Sequence, residues 1–185
     1  MANPKDLRVV KTTNLIKNSF YDLLSEEDFD KINVKQICQK SLIGRSTFYQ
    51  HYVDKYDLLD KETELYAQKF ADGMADRVDT FQDDNSLQNL IDYLEPDSTE
   101  ILLLLEVHTN GADLEDRFEK IISESIAQLV NANPMSNLPI EFIQKLYSAN
   151  VISFLKWSLK NGVDQSINSF MNESLQQEYN IWLKY

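Results

Sequence analysis

The stretch from Ile32 to Lys55, INVKQICQKSLIGRSTFYQHYVDK, constrains the fold of this chain more tightly than any other. Its spacing predicts two short helices around a tight turn, followed by the capped start of a third. Asn33 stands where a helix needs its N-cap, with Gln36 at the third helical position, a relative of the capping box. Val34, Ile37 and Cys38 recur at three-to-four-residue spacing and give the first helix one apolar stripe. Ser41-Leu42-Ile43-Gly44 interrupts that pattern, and Gly44 is expected to supply the permissive backbone of a sharp turn. A second helix of seven or eight residues begins near Arg45. Phe48 and Tyr52 share its inward flank, while Ser46, Thr47, Tyr49 and Gln50 fan across the other side with Arg45 at the tip.

That outer side is a set of hydrogen-bonding side chains suited to phosphate oxygens and major-groove base edges. Presented on a short helix after a glycine-containing turn, it makes the helix-turn-helix pattern. Gly-Arg-Ser-Thr-Phe-Tyr-Gln-His-Tyr, followed by Asp54-Lys55 and Leu58-Leu59, closely resembles the signature of TetR/AcrR-family transcriptional regulators. The resemblance runs from about Arg8 to Leu59; beyond it, only length and helical character match. It implies an all-α protein of about nine helices. A three-helix DNA-binding domain over residues 1–54 would precede a helical ligand-binding and dimerisation domain over residues 55–185.

Roles follow residue by residue from the same resemblance. Thr47, Tyr49 and Lys55 are expected to hold phosphates, together with the capping segment at Asn33 and Lys35. Arg45, Ser46 and Gln50 are expected to face base edges, Arg45 suiting guanine and Gln50 adenine. His51 is expected to support the backbone. Lys55 sits in the first turn of its helix, where a cation opposes the helix dipole, and a phosphate would explain it.

Charge sharpens the division. The net charge of -12 argues by itself against a polyanion partner. Residues 1–61, however, hold ten Lys/Arg against nine Asp/Glu, so the acid is concentrated in the remainder. A balance of +1 is weak for DNA binding, and it makes dimerisation necessary to double the contacts. The single cysteine, Cys38, excludes an internal disulfide framework and is expected to be a small core residue. No signal peptide is expected ahead of Leu7, and the longest apolar run, Ile101 to Leu105, is too short to cross a bilayer. A soluble, cytoplasmic protein without a membrane partner is the expectation.

The rest of the chain is helical in pattern. Arg8 to Leu24 carries Val9, Ile16, Phe20, Leu23 and Leu24 on one side, and Lys17 is expected on a solvated face. Asp54 caps a long helix to about Val78, slightly weakened by Gly73 inside it. A polar connector, Asp79 to Ser86, leads to a short helix stopped at Pro96, and a second short helix runs from Ser98 to Val107 and ends at Asn110-Gly111. Asp113 caps the next helix, which closes at Asn133-Pro134. Pro139 opens a long helix that stops at Asn161-Gly162, and Asp164 caps the last. These last two apolar-faced helices form an αα-hairpin, the pair that assembles a four-helix interface in TetR-like proteins. A homodimer is therefore expected, with Val151, Phe154, Leu155, Ser158 and Phe170 near the two-fold axis.

Enzymatic constellations are missing from the sequence. Two histidines are too few for most metal sites or triads, and four glycines without a glycine-rich loop leave no phosphate cradle. No catalytic residue, metal or cofactor is expected. In proteins of this resemblance the segment from Tyr66 to Ile126 holds a small-molecule effector, with Tyr66, Phe70, Met74, Leu94, Leu103, His108 and Phe118 as candidate lining. A ligand-responsive repressor on a palindromic operator is the leading expectation. A TetR-like co-activator or adaptor working through a protein partner is the alternative.

Overall fold

In the computed structural model, which describes residues 4–79, 86–132 and 138–182, the helical expectation is met: among these residues there are nine α-helices and no strand. They are α1 (Pro4–Leu24), α2 (Val34–Lys40), α3 (Arg45–Phe48), α4 (Lys55–Asp79), α5 (Ser86–Leu94), α6 (Ser98–Leu104), α7 (Leu114–Ala132), α8 (Ile140–Asn161) and α9 (Gln165–Trp182), with 3-10 turns at Phe29–Lys31 and Glu95–Asp97. The expected connector around residues 80–85 and the stop at Asn133-Pro134 lie outside the described residues.

Local chemistry sets most boundaries. Asn33 and Gln36 form a complete capping box: Asn33 Oδ1 accepts from Gln36 N at 3.1 Å and Gln36 Oε1 accepts from Asn33 N at 2.8 Å. Asp54 Oδ1 accepts from the amides of Tyr56 and Asp57, and Asp164 Oδ1 from those of Ser166 and Ile167. The two backbone amides at Asp164 hold its carboxyl below the usual carboxylate range. Gly162, at φ +80°, ends α8 in the left-handed region that glycine tolerates.

Three expectations shift. The helix from Ser98 ends at Leu104 instead of Val107, because the following amides of Glu106 and Val107 bond three residues back and tighten the chain. Asn110-Gly111 consequently lies in a loop closed by Thr109, whose hydroxyl donates to Ala112 O and accepts from Ala112 N. Val9 is exposed, since the first turns of α1 extend past the core and Ile16 is the first fully buried residue. Lys17 leaves the solvated face: its Nζ is 3.0 Å from Glu62 Oε1 of α4.

Two packed regions meet along α4. At the amino-terminal end, Ile16, Phe20 and Leu23 of α1 bury against Phe29, Ile32, Ile37, Phe48, Tyr52, Leu58 and Leu59. In the body, the rings of Phe70 (α4) and Phe118 (α7) stack with centroids 4.0 Å apart, and Tyr147 meets Trp182 edge-on. Gly73 is more than a weak point in α4: a Cβ there would lie 2.7 Å from Leu90 Cδ1 and 3.2 Å from Tyr93 Cδ1, so its bareness admits α5. Arg117 of α7 forks onto Asp60 and Glu64 of α4, and Lys69 of α4 pairs with Asp97.

Candidate nucleic-acid interface

The second helix of the pair is shorter than its sequence suggests. Only Arg45–Phe48 is α-helical; the amides of Gln50 and His51 then bond three residues back, to Thr47 and Phe48, and residues 49–51 form a hydrogen-bonded turn. A helix of one turn has almost no stability of its own. What holds it is Phe48, which is fully buried with its ring edge-on to Tyr49 and 5.6 Å from Tyr52. Burial pushes the Tyr52 hydroxyl up to about 12 and also raises the Cys38 thiol, so both stay neutral core groups.

With that flank locked inward, Arg45, Ser46, Tyr49 and Gln50 are exposed together, and Thr47 is half-buried. Lys35 of α2 is exposed as well. Asn33 is exposed but occupied as the N-cap. His51 is half-buried and turned toward α1, with Nδ1 3.3 Å from Thr13 Oγ1, and its carbonyl accepts from Lys61 Nζ. Lys55 is also turned inward: its ammonium donates to the carbonyls of Phe29 at 2.8 Å and Asp30 at 3.2 Å. Burial lowers its pKa from the usual lysine range.

The turn itself corrects an expectation. Gly44 adopts φ -74°, ψ 151°, an extended conformation open to any residue, and serves as the N-cap position of α3. The left-handed residue is Leu42, at φ 55° and 91% exposed. A β-carbon there costs about 1–2 kcal/mol relative to glycine, partly offset by glycine's greater unfolded-state entropy. Leu42→Gly is therefore expected to stabilise the protein by up to about 1 kcal/mol in a thermal melt. Gly44→Ala, whose new Cβ would approach nothing closer than 3.7 Å, should be nearly neutral. A lower melting temperature for Leu42→Gly would contradict the assignment of strain to that residue.

Of the residues expected to line an effector site, Tyr66, Phe70, Met74, Leu94 and Phe118 are buried in one core and Leu103 is packed against it. His108 is not with them. It is exposed on the loop before α7, where Nδ1 lies 2.8 Å from Asp113 and that carboxylate raises its pKa. Three cavities among the described residues are lined by none of the seven. A cleft of about 640 Å³ runs between the start of α4, at Tyr56 and Asp57, and the loop at Thr109 to Ala112. Two others follow the α7–α8 and α4–α7 grooves. No cluster of His, Cys, Asp and Glu among the described residues has the geometry of a metal site. No helix among them is long and apolar enough to cross a membrane.

The five residues expected near a two-fold axis divide by exposure. Val151, Phe154, Leu155 and Ser158 are buried inside the protomer, and of the five residues only Phe170, 65% exposed, reaches solvent. The exposed apolar residues of α8 are instead Phe142, Leu146 and Trp157, and α9 adds Ile181 beside Phe170. Sequence reasoning also missed Glu62, a carboxylate only 2% exposed that accepts from Tyr21 Oη at 2.9 Å and pairs with Lys17.

Comparison with known proteins agrees with this geometry. Over 55 residues, 29% of the chain, it is 44% identical to the HTH-type transcriptional regulator YxbF of Bacillus subtilis. Over 84 residues, 45% of the chain, it is 30% identical to DhaS of Lactococcus lactis, a dhaKLM operon transcriptional activator. These matches span 14% and 43% of the two relatives' lengths. No family model matches the chain. A solved TetR transcriptional regulator from Streptococcus agalactiae superposes with a TM-score of 0.67 at 25% identity, covering 98% of both chains. Fold and amino-terminal residues together define a helix-turn-helix protein. Within that class, its fold is similar to that of the TetR regulator from Streptococcus agalactiae.

Proposed function

We propose that the chain is a sequence-specific DNA-binding transcriptional regulator, not an enzyme, that engages a palindromic operator as a cytoplasmic homodimer. One observation carries this reading: Arg45, Ser46, Tyr49 and Gln50 are exposed together on a one-turn helix and the turn that follows it, whose opposite flank is anchored by buried Phe48. In this reading residues 1–54 bind DNA and residues 55–185 dimerise and respond to a ligand. Arg45 and Gln50, with Ser46, meet base edges; Thr47, Tyr49 and Lys35 meet phosphates, supported by the capping segment at Asn33 and by His51. Mobility shifts at two salt concentrations, with duplex from upstream of the protein's own gene, test it. Arg45→Ala should cost about 1–3 kcal/mol on that duplex and relax its sequence preference. Equal loss on specific and random duplexes would remove Arg45 from base reading.

The homodimer rests on the weak positive balance of the DNA-binding end and on the exposed residues of the last hairpin. Phe142, Leu146 and Trp157 fall within about 60° of one another around α8, at roughly 100° per residue, and Phe170 and Ile181 share one side of α9. Such a stripe is an interface signature. Trp157→Glu is expected to yield a folded monomer in light scattering and to abolish operator binding. A variant that remains dimeric would move the interface elsewhere.

A small-molecule effector beside Tyr66, Phe70, Met74, Leu94, Leu103 and Phe118 would meet the stacked rings of Phe70 and Phe118. Repression is the sign we assign. The name of the Lactococcus lactis relative favours activation as the second reading, and transcription from the bound promoter with and without the protein decides between them.

A further inference from the structure

The reading face is carried by chain with little helix to hold it, and its exit is fastened from α4. We propose that Asp57 is a positioning residue for operator recognition, anchoring the exit of the reading turn, residues 51–53, to the first turn of α4. The proposal rests on the DNA-binding reading given above. Asp57 Oδ2 accepts from the Val53 amide at 2.8 Å and from Lys61 Nζ at 2.9 Å. Lys61 Nζ also donates to the His51 carbonyl at 3.2 Å and lies 5.0 Å over the Tyr52 ring. One carboxylate and one ammonium, four residues apart on α4, thus bind the backbone on both sides of buried Tyr52. The Val53 amide, and after it the Lys61 ammonium, holds the Asp57 carboxyl below the usual carboxylate range, so it stays charged through neutral pH.

Ordinary helix capping does not account for this contact. An acid at the third helical position commonly returns to the amide of the residue before the helix. Here that residue is Asp54, whose own carboxylate serves the amides of Tyr56 and Asp57. Asp57 reaches one residue further back, to Val53, whose exposed side chain gives the segment no apolar anchor of its own. The segment so held begins directly after Gln50. Phe48 fixes the inward flank of the reading face; Asp57 fixes its end, and with it the aim of Tyr49 and Gln50. A negative charge at an end whose balance is only +1 opposes DNA binding by itself, so any gain from Asp57 must come through geometry.

The test uses the full-length protein, a duplex that the wild type enriches from a randomised pool, and a random duplex for comparison. Asp57→Ala removes the acceptor and a negative charge. Its preference for the enriched over the random duplex should fall roughly tenfold. Binding to the random duplex should hold or strengthen, since a repulsive charge is gone. Asp57→Asn keeps an oxygen for the Val53 amide and should recover much of the preference without the charge. Lys61→Met keeps the stem over Tyr52 and frees the His51 carbonyl. It should lose part of the preference, and it is the readout if the alanine variant does not fold. A merely structural role would lower the active fraction and change binding to both duplexes by one factor. Preference at the wild-type value in every Asp57 and Lys61 variant that folds would therefore overturn the proposal. So would an Asp57→Asn protein as indiscriminate as Asp57→Ala. A wild type that enriches nothing while folded and dimeric would overturn the DNA-binding reading itself, and this assignment with it.

Discussion

Phe48→Ala is expected to cost the fold about 3–5 kcal/mol and to abolish DNA binding. The side chain is fully buried, and it is the buried residue of α3, a single α-helical turn. Truncation leaves a void beside Tyr52 and frees the backbone that carries Arg45, Ser46, Tyr49 and Gln50. Helical content in the body, α4 to α9, should largely survive, so circular dichroism would change little while the denaturation midpoint drops. Tyr49→Phe is the matched control: Tyr49 is exposed, so its stability effect should stay within about 0.5 kcal/mol. A Phe48→Ala protein that loses less than about 1 kcal/mol would contradict the view that one buried ring holds the reading helix.

The second large effect is expected at Glu62. Its buried carboxylate accepts from Tyr21 Oη and pairs with Lys17, tying α1 to α4. Burial, followed by the Glu62 charge, pushes the Tyr21 hydroxyl far above its ordinary range, so it remains a neutral donor. Glu62→Ala removes the acceptor from a buried hydroxyl and the counter-ion from a half-buried ammonium. Removing one partner of a fully buried pair costs about 3–5 kcal/mol, and the partial exposure of Lys17 reduces this to roughly 2–4 kcal/mol. Glu62→Gln keeps an acceptor for Tyr21 and loses only the ion pair, so it should fall about midway by chemical denaturation. Equal stability of wild type and Glu62→Ala would mean that the cluster does not join the two helices energetically.

The parts of this molecule legible in the sequence are those fixed by neighbours along the chain. Asn33 with Gln36, Asp54 at the head of α4, Asp164 at the head of α9 and Gly162 at the end of α8 each act within a few residues. Phe48 and Tyr52 were placeable by the same logic, four positions apart on one flank. Features that depend on distant partners were not legible. Lys17 looks like a solvated lysine until α4 brings Glu62 against it, and Lys55 looks free until the connector at Phe29 closes over it. Gly44 drew the turn to itself although Leu42 takes the left-handed conformation, since a glycine nearby masks a strained neighbour. On α8, apolar residues occupy both faces, so periodicity alone could not tell the buried Val151, Phe154 and Leu155 from the exposed Phe142, Leu146 and Trp157.

The most direct test of the central claim is to select duplexes from a randomised pool with the purified protein and sequence what it retains. The expected result is an inverted repeat whose half-sites lie about one helical turn apart, or a multiple of it, with guanine and adenine prominent where Arg45 and Gln50 reach. A retained pool indistinguishable from the input, from protein that is folded and paired, would contradict it.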